Sequence, residues 1–226
     1  MEKKLWLAVF AIGVALLFLP LNVGAMDKQA DTLDELEQMF DESSCMDCHD
    51  EIHNEWAGSW HAQSVVSSLG SFHNFIEIGV KKEWETEVTK AQLLKCMDCH
   101  APVINFASEK LAVEIAEKLV TAFKEKGTPT GDAAKKDLAR LKVGCLSCHN
   151  IKALSVAPGF NGPPEKGMIY GPHGEDADDA HETLQANDMT QSGFCMQCHG
   201  VYTAADGETI QCNTLSGSYR NGYVAK

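Results

Sequence analysis

The chain is short of positive charge: 19 Lys and Arg stand against 32 Asp and Glu, a net charge of −13. Nucleic acid and anionic membrane surfaces are therefore poor partners, whereas a basic partner would be steered toward it. Beyond residues 5–19, no segment is apolar and long enough to span a bilayer. No convincing alternating strand pattern is found, and strongly amphipathic segments are few. Of nine cysteines, only Cys212 stands outside a recurring motif.

That motif is Cys-x-x-Cys-His. It occurs four times, at Cys45–His49, Cys96–His100, Cys145–His149 and Cys195–His199, with starts 51, 49 and 50 residues apart. Chance placement of nine Cys and nine His would give on the order of 0.01 such motifs. The spacing matches the attachment of c-type haem. Two thiols three residues apart share a helix face, where they can bond one porphyrin edge, and the next residue is an imidazole able to bind iron. The pairs Cys45 and Cys48, Cys96 and Cys99, Cys145 and Cys148, and Cys195 and Cys198 are thus the expected thioether donors. His49, His100, His149 and His199 are the expected proximal ligands of four covalent haems. Paired CxxC motifs also build zinc sites, and exported chains form disulfides. Neither alternative requires a histidine after every second cysteine. The segments after the motifs do not resemble one another, so the even spacing is one of cofactors, not a solenoid.

A short basic start, the apolar run Leu5–Leu19, Pro20 and the small residues Val23-Gly24-Ala25 read as a signal peptide over residues 1–25; an uncleaved anchor is the alternative. Residues 26–226 then form one domain, periplasmic or extracellular. About fifty residues per porphyrin implies that the haems act as the core and that folding is coupled to their insertion. Cys212 is a free thiol, an intermolecular link or a buried inert residue.

Thr32-Leu33-Asp34-Glu35 predicts a capping box opening a short helix toward Phe40. Ser108 caps the clearest helix, with Leu111, Ile115, Leu119 and Phe123 on one stripe and Gly127 ending it. After Thr128-Pro129 a further helix carries Leu138 and Leu141 toward Cys145. Residues 157–179 read as an irregular loop. Its acidic cluster, Glu175, Asp176, Asp178 and Asp179, is either a solvated loop or a calcium site. A helical stretch from near Asp178 is expected before Cys195. The fold class is mostly α, with short helices, long loops and little β.

Five histidines remain for four distal positions: His53, His61, His73, His173 and His181. Every iron could thus be six-coordinate, a state suited to moving electrons rather than binding substrate. His61, in Trp56-Ala57-Gly58-Ser59-Trp60-His61, and His181 are the leading candidates. His73 lies beside Phe72 and Phe75, His173 follows Gly171-Pro172, and His53 is the spare. Met168 and Met189 are the methionine alternatives. Trp56 and Trp60 are expected to pack on haem.

The first motif with Trp56, Ser59 and His61, and the stretch Tyr170–His173, His181, Phe194–His199, resemble the multihaem family of the nitrifier tetrahaem cytochrome that accepts electrons from hydroxylamine oxidoreductase. The resemblance implies an all-α fold wrapped around haems stacked in close pairs, distal roles for His61 and His181, and an electron carrier working between a redox donor and acceptor. A membrane-bound quinol oxidiser or another multihaem protein is a candidate partner. Two departures stand out: the fifth spare histidine, and a C-terminus at which larger relatives run on, so that truncation is an alternative. The rival functions are a multihaem enzyme of nitrogen oxide or hydroxylamine chemistry with an open iron, and a subunit of a haem filament or electron conduit. The enzyme reading is weakened because no motif carries lysine in place of histidine.

Overall fold

The computed structural model describes residues 29–150, 167–173 and 181–200, and the backbone of 202–203 and 209–210. The expected signal peptide, most of the 157–179 loop with its acidic cluster, and Cys212 lie outside the described residues. The architecture is mostly helical, with short helices joined by turns. Strand is confined, among the described residues, to two two-stranded ladders.

Helix Glu109–Lys124 organises the packing. Ser108 caps it, its hydroxyl accepting from Leu111 N, and Leu111, Ala112, Ile115, Ala116, Leu119 and Ala122 form a buried stripe. Each wholly buried Leu or Ile contributes about 1.5–3 kcal/mol relative to exposure. Phe123, expected on that stripe, is 43% exposed and lies at its edge, against Gly70 and His73. Gly127, at φ 81°, turns the chain back, and Thr128 caps Pro129–Leu138, which packs antiparallel on the long helix. This helix stops at Leu138 instead of running to Cys145; Leu141 is buried beyond its end.

Helices Leu69–Asn74 and Lys90–His100 also pack on Glu109–Lys124. Lys90–His100 opens with a full capping box of Thr89 and Gln92 that the sequence reading missed. A π-helix, Phe75–Glu83, continues directly from Leu69–Asn74. It is pinned to the long helix by Glu77, which accepts from Lys81 at 2.7 Å and Lys124 at 2.5 Å.

The amino-terminal strap is tied to the same body. Ala30 N donates to Phe106 O and Ser108 N donates to Ala30 O. Helix Leu33–Met39 follows, with Thr32 accepting from Glu35 N. The expected capping box is modified: the Glu35 carboxylate accepts from Asp31 N, one residue before the cap. Arg140 anchors this helix by donating to Asp34 and Glu37, at 2.6 Å each.

The polypeptide has a contiguous apolar core of its own, running from Ala30 to Leu146. The expectation that the haems act as the core did not include this cluster. Among the described residues of 167–173 and 181–200, Tyr170 and Ala186 are the buried hydrophobics. There the expected helix before the fourth motif is replaced by strand Glu182–Gln185, paired in parallel with Met168–Gly171. β-Branched Thr183 and Ile169 sit opposite each other in this register.

The Glu77 pair gives a pH test. Hydrogen bonds from Lys124 and then Lys81 lower its carboxyl to about 2, against an ordinary 4.5. A depressed carboxyl stabilises the fold above its unfolded value, and that contribution is lost as pH falls from 4.5 toward 2. Glu77→Gln is expected to lower the urea midpoint at pH 7, with the difference from the parent closing as pH approaches about 2.

Candidate haem-binding site

The four motifs sit in different local structures yet close in the same way. Cys45–Cys48 is a single helical turn, Cys96–His100 ends the helix Lys90–His100, Cys145–Ser147 is a 3-10 turn, and Cys195 ends Ser192–Cys195. The histidine N–H donates to the first cysteine carbonyl at 2.9 Å in the first motif, 2.9 Å in the third and 3.0 Å in the fourth. This i to i+4 bond wraps one turn, bringing both thiols and the imidazole to one side.

Backbone carbonyls fix two of the proximal rings. His100 Nδ1 lies 2.9 Å from Ser64 O, and His149 Nδ1 lies 2.8 Å from Tyr170 O. A ring that donates through Nδ1 keeps Nε2 as the metal-binding nitrogen, the usual outer-shell arrangement of a ligating histidine.

The element from Trp56 to Ser64 joins the second and third motifs. Trp56 Nε1 donates to Val143 O at 2.9 Å, and Val143 N donates to His61 O at 3.1 Å. Ser64 Oγ accepts from Val143 N and donates to His100 O at 2.6 Å. Trp56 is thus half-buried and structural, with Lys142 Nζ 4.7 Å from its ring centre. Ser64 was missed in the sequence because a lone serine carries no motif signal.

Of the five spare histidines, two face motif histidines. His181 lies 6.4 Å from His49, ring centre to ring centre, with planes 31° apart. His61 lies 5.9 Å from His199, with planes 53° apart. His181 Nδ1 is 3.2 Å from the Thr183 hydroxyl, so strand Glu182–Gln185 orients this ring. His53 packs on Trp56, and His73 packs on Phe123. His173 is exposed after the strand Met168–Gly171. Met168 lies on that strand and Met189 in the 3-10 turn Asn187–Thr190.

The cysteine sulfurs also converge across motifs. Cys45 is hydrogen-bonded to Cys145, and Cys99 to Cys198. Burial, then Glu42, pushes the Cys145 thiol up to about 12; burial and the neighbouring Cys198 push Cys148 up to about 11. Both are neutral thiols at ordinary pH, and no disulfide joins the eight motif cysteines.

These residues fit haem better than zinc. A structural zinc takes four protein ligands and a catalytic one three, and no three His, Cys, Asp or Glu converge to hold a metal among the described residues. Buried nitrogens of His53, His73 and His199 lack hydrogen-bond partners, which a bound group would relieve. A cavity of about 470 Å³ is lined by Leu36, Phe40, Met46, His53, Trp56 and Cys145. Met46, Ile52 and Trp60 are exposed near the first motif, Trp60 by 79%. Such apolar surface suits cover by a flat apolar group.

Comparison with known proteins agrees over part of the chain. Residues 44–150 match the family described as cytochrome c554 and c-prime. The match takes in the first three motifs and the Trp56–His61 element. It supports a c-type cytochrome carrying covalently bound haem and involved in electron transfer. No curated protein and no solved structure matches the chain. Among the described residues, no helix is long and apolar enough to cross a membrane.

Ser64→Ala is expected to cost about 1–3 kcal/mol in denaturant unfolding, because the His100 carbonyl loses its hydroxyl donor, while Val143 N–H keeps His61 O. An unchanged midpoint would mean that water replaces the hydroxyl.

Proposed function

We propose that the protein is an exported tetrahaem cytochrome that passes electrons between redox partners. The observation carrying this reading is the pair of facing imidazoles. Iron held by two imidazole nitrogens at about 2 Å each places the ring centres roughly 6 Å apart. The two observed separations, 6.4 and 5.9 Å, lie close to that distance. His181 would serve the haem of the first motif and His61 that of the fourth. His53, His73 and His173 are the remaining candidates for the haems of the second and third motifs.

Haem iron, when bound, supplies one-electron exchange between ferric and ferrous states. The chain's residues hold and orient it. The cysteines tether the porphyrin edges. Ser64 O and Tyr170 O fix the rings of His100 and His149. The meeting of Cys45 with Cys145, and of Cys99 with Cys198, supports close haem pairs: first with third, second with fourth. The acidic surface favours donors and acceptors with basic docking faces. The apolar run at residues 5–19 supports export, with maturation in the periplasm or outside the cell.

The test is haem content by pyridine haemochrome together with low-temperature EPR of the ferric protein. Four haems, all low-spin, are expected. His61→Ala and His181→Ala are each expected to convert one haem to high-spin. A substantial high-spin signal in the parent would favour the rival enzyme or a ligand supplied by a neighbouring subunit. Fewer than four haems would overturn the tetrahaem reading.

A further inference from the structure

Glu42 lies three residues before the first motif, beyond the end of helix Leu33–Met39. Its backbone carbonyl accepts from Cys45 N at 3.1 Å. Its carboxylate reaches across the fold to the third motif, where it accepts from Cys145 N and is hydrogen-bonded by the Cys145 thiol. The Cys45 and Cys145 thiols are hydrogen-bonded to each other at the same point.

Gly144 makes this approach possible. A Cβ there would overlap the Glu42 carboxylate, so any side chain before Cys145 would push the carboxylate aside. Arg140 lines the same cavity but is held by Asp34 and Glu37. Lys142 is held over Trp56. A carboxylate is thus set at the junction of two haem-attachment motifs while the adjacent cations are engaged elsewhere.

On the tetrahaem reading above, we propose that Glu42 tunes potential: its negative charge stabilises ferric iron in the haems of the first and third motifs. Ferric iron carries one more positive charge than ferrous, and a fixed anion in a partly dry site favours the more positive state. The second and fourth motifs have no part in this contact; there the buried Asp98 acts on Cys198 instead, and Glu42 bears on the first and third haems alone.

The test is a spectroelectrochemical titration of the haem-loaded protein and of Glu42→Gln. Glutamine keeps an oxygen to accept from Cys145 N and removes the charge. The expected result is a rise of roughly tenfold in the reduction equilibrium of two of the four haems, about 59 mV for one electron, with the other two unchanged. Four unmoved potentials, or a uniform shift of all four, would overturn the proposal. Should Glu42→Gln load fewer haems than the parent, Glu42→Asp and Glu42→Asn make the same comparison of charge at matched length. A parent with fewer than four haems fails the tetrahaem reading. A four-haem parent whose Glu42→Gln variant keeps its potentials fails this proposal alone.

Discussion

The i to i+4 hydrogen bond from a motif histidine to the first cysteine carbonyl is the constraint on which the arrangement rests. It closes one turn whether the surrounding backbone is α-helix, 3-10 turn or a short helical end. Because the turn is built by five consecutive residues, it needs little from the rest of the fold. What the fold supplies is where each turn sits and what faces it. The four turns are accordingly carried by unrelated segments, and the similarity of the motifs does not extend to their flanks.

Placement depends on backbone hydrogen bonds that cross between motifs. Val143 is the crossing point: its carbonyl accepts from Trp56 and its amide donates to His61 O and Ser64 Oγ. The same Ser64 grips the His100 carbonyl, and its own carbonyl holds the His100 ring. The segment before the third motif and the end of the second are thus locked to one stretch, Trp56–Ser64. This explains in physical terms why tryptophan and serine recur near His61: the indole N–H is a lone donor needing a fixed acceptor, and Ser59 Oγ caps the turn by accepting from Ala62 N.

Much of this was legible because it is local. The Ser108 cap, the stripe through Leu111, Ile115 and Leu119, the Gly127 stop and the Thr128-Pro129 restart depend on residues a turn or two apart, and all appear in the structure. His61 was singled out by its aromatic setting and family resemblance, and the structure brings it to His199. His181 was singled out on the expectation of a helix and sits instead at the start of a strand, whose parallel partner lies across a sequence gap that no local pattern reveals. Ser64, Glu42 and the Tyr170 carbonyl were invisible for the same reason: their partners lie 36, 103 and 21 residues away. The π-helix Phe75–Glu83 has no signature in the period of its apolar residues, since Ile76 and Val80 fit an ordinary helix equally well.

The uneven core argues for a division of labour in folding. Residues 30–146 bury a continuous apolar cluster and can collapse on it, whereas the described residues of 167–173 and 181–200 bury few apolar side chains. Conformational entropy of roughly 1–2 kcal/mol per ordered backbone residue must still be met in that second part. A two-stranded ladder, two hydrogen bonds between Tyr170 and His149, and the packing of Ile169 and Phe194 on the core are few against it. On the proposed ligation, the deficit is supplied by cofactors that both parts share. His181 from the second part faces His49 of the first, and His61 of the first faces His199 of the second. The two bridges run in opposite directions, one proximal ligand from each part, so neither haem could be completed by one part alone. On that ligation the carboxy-terminal part would gain its order by completing irons held by the amino-terminal body.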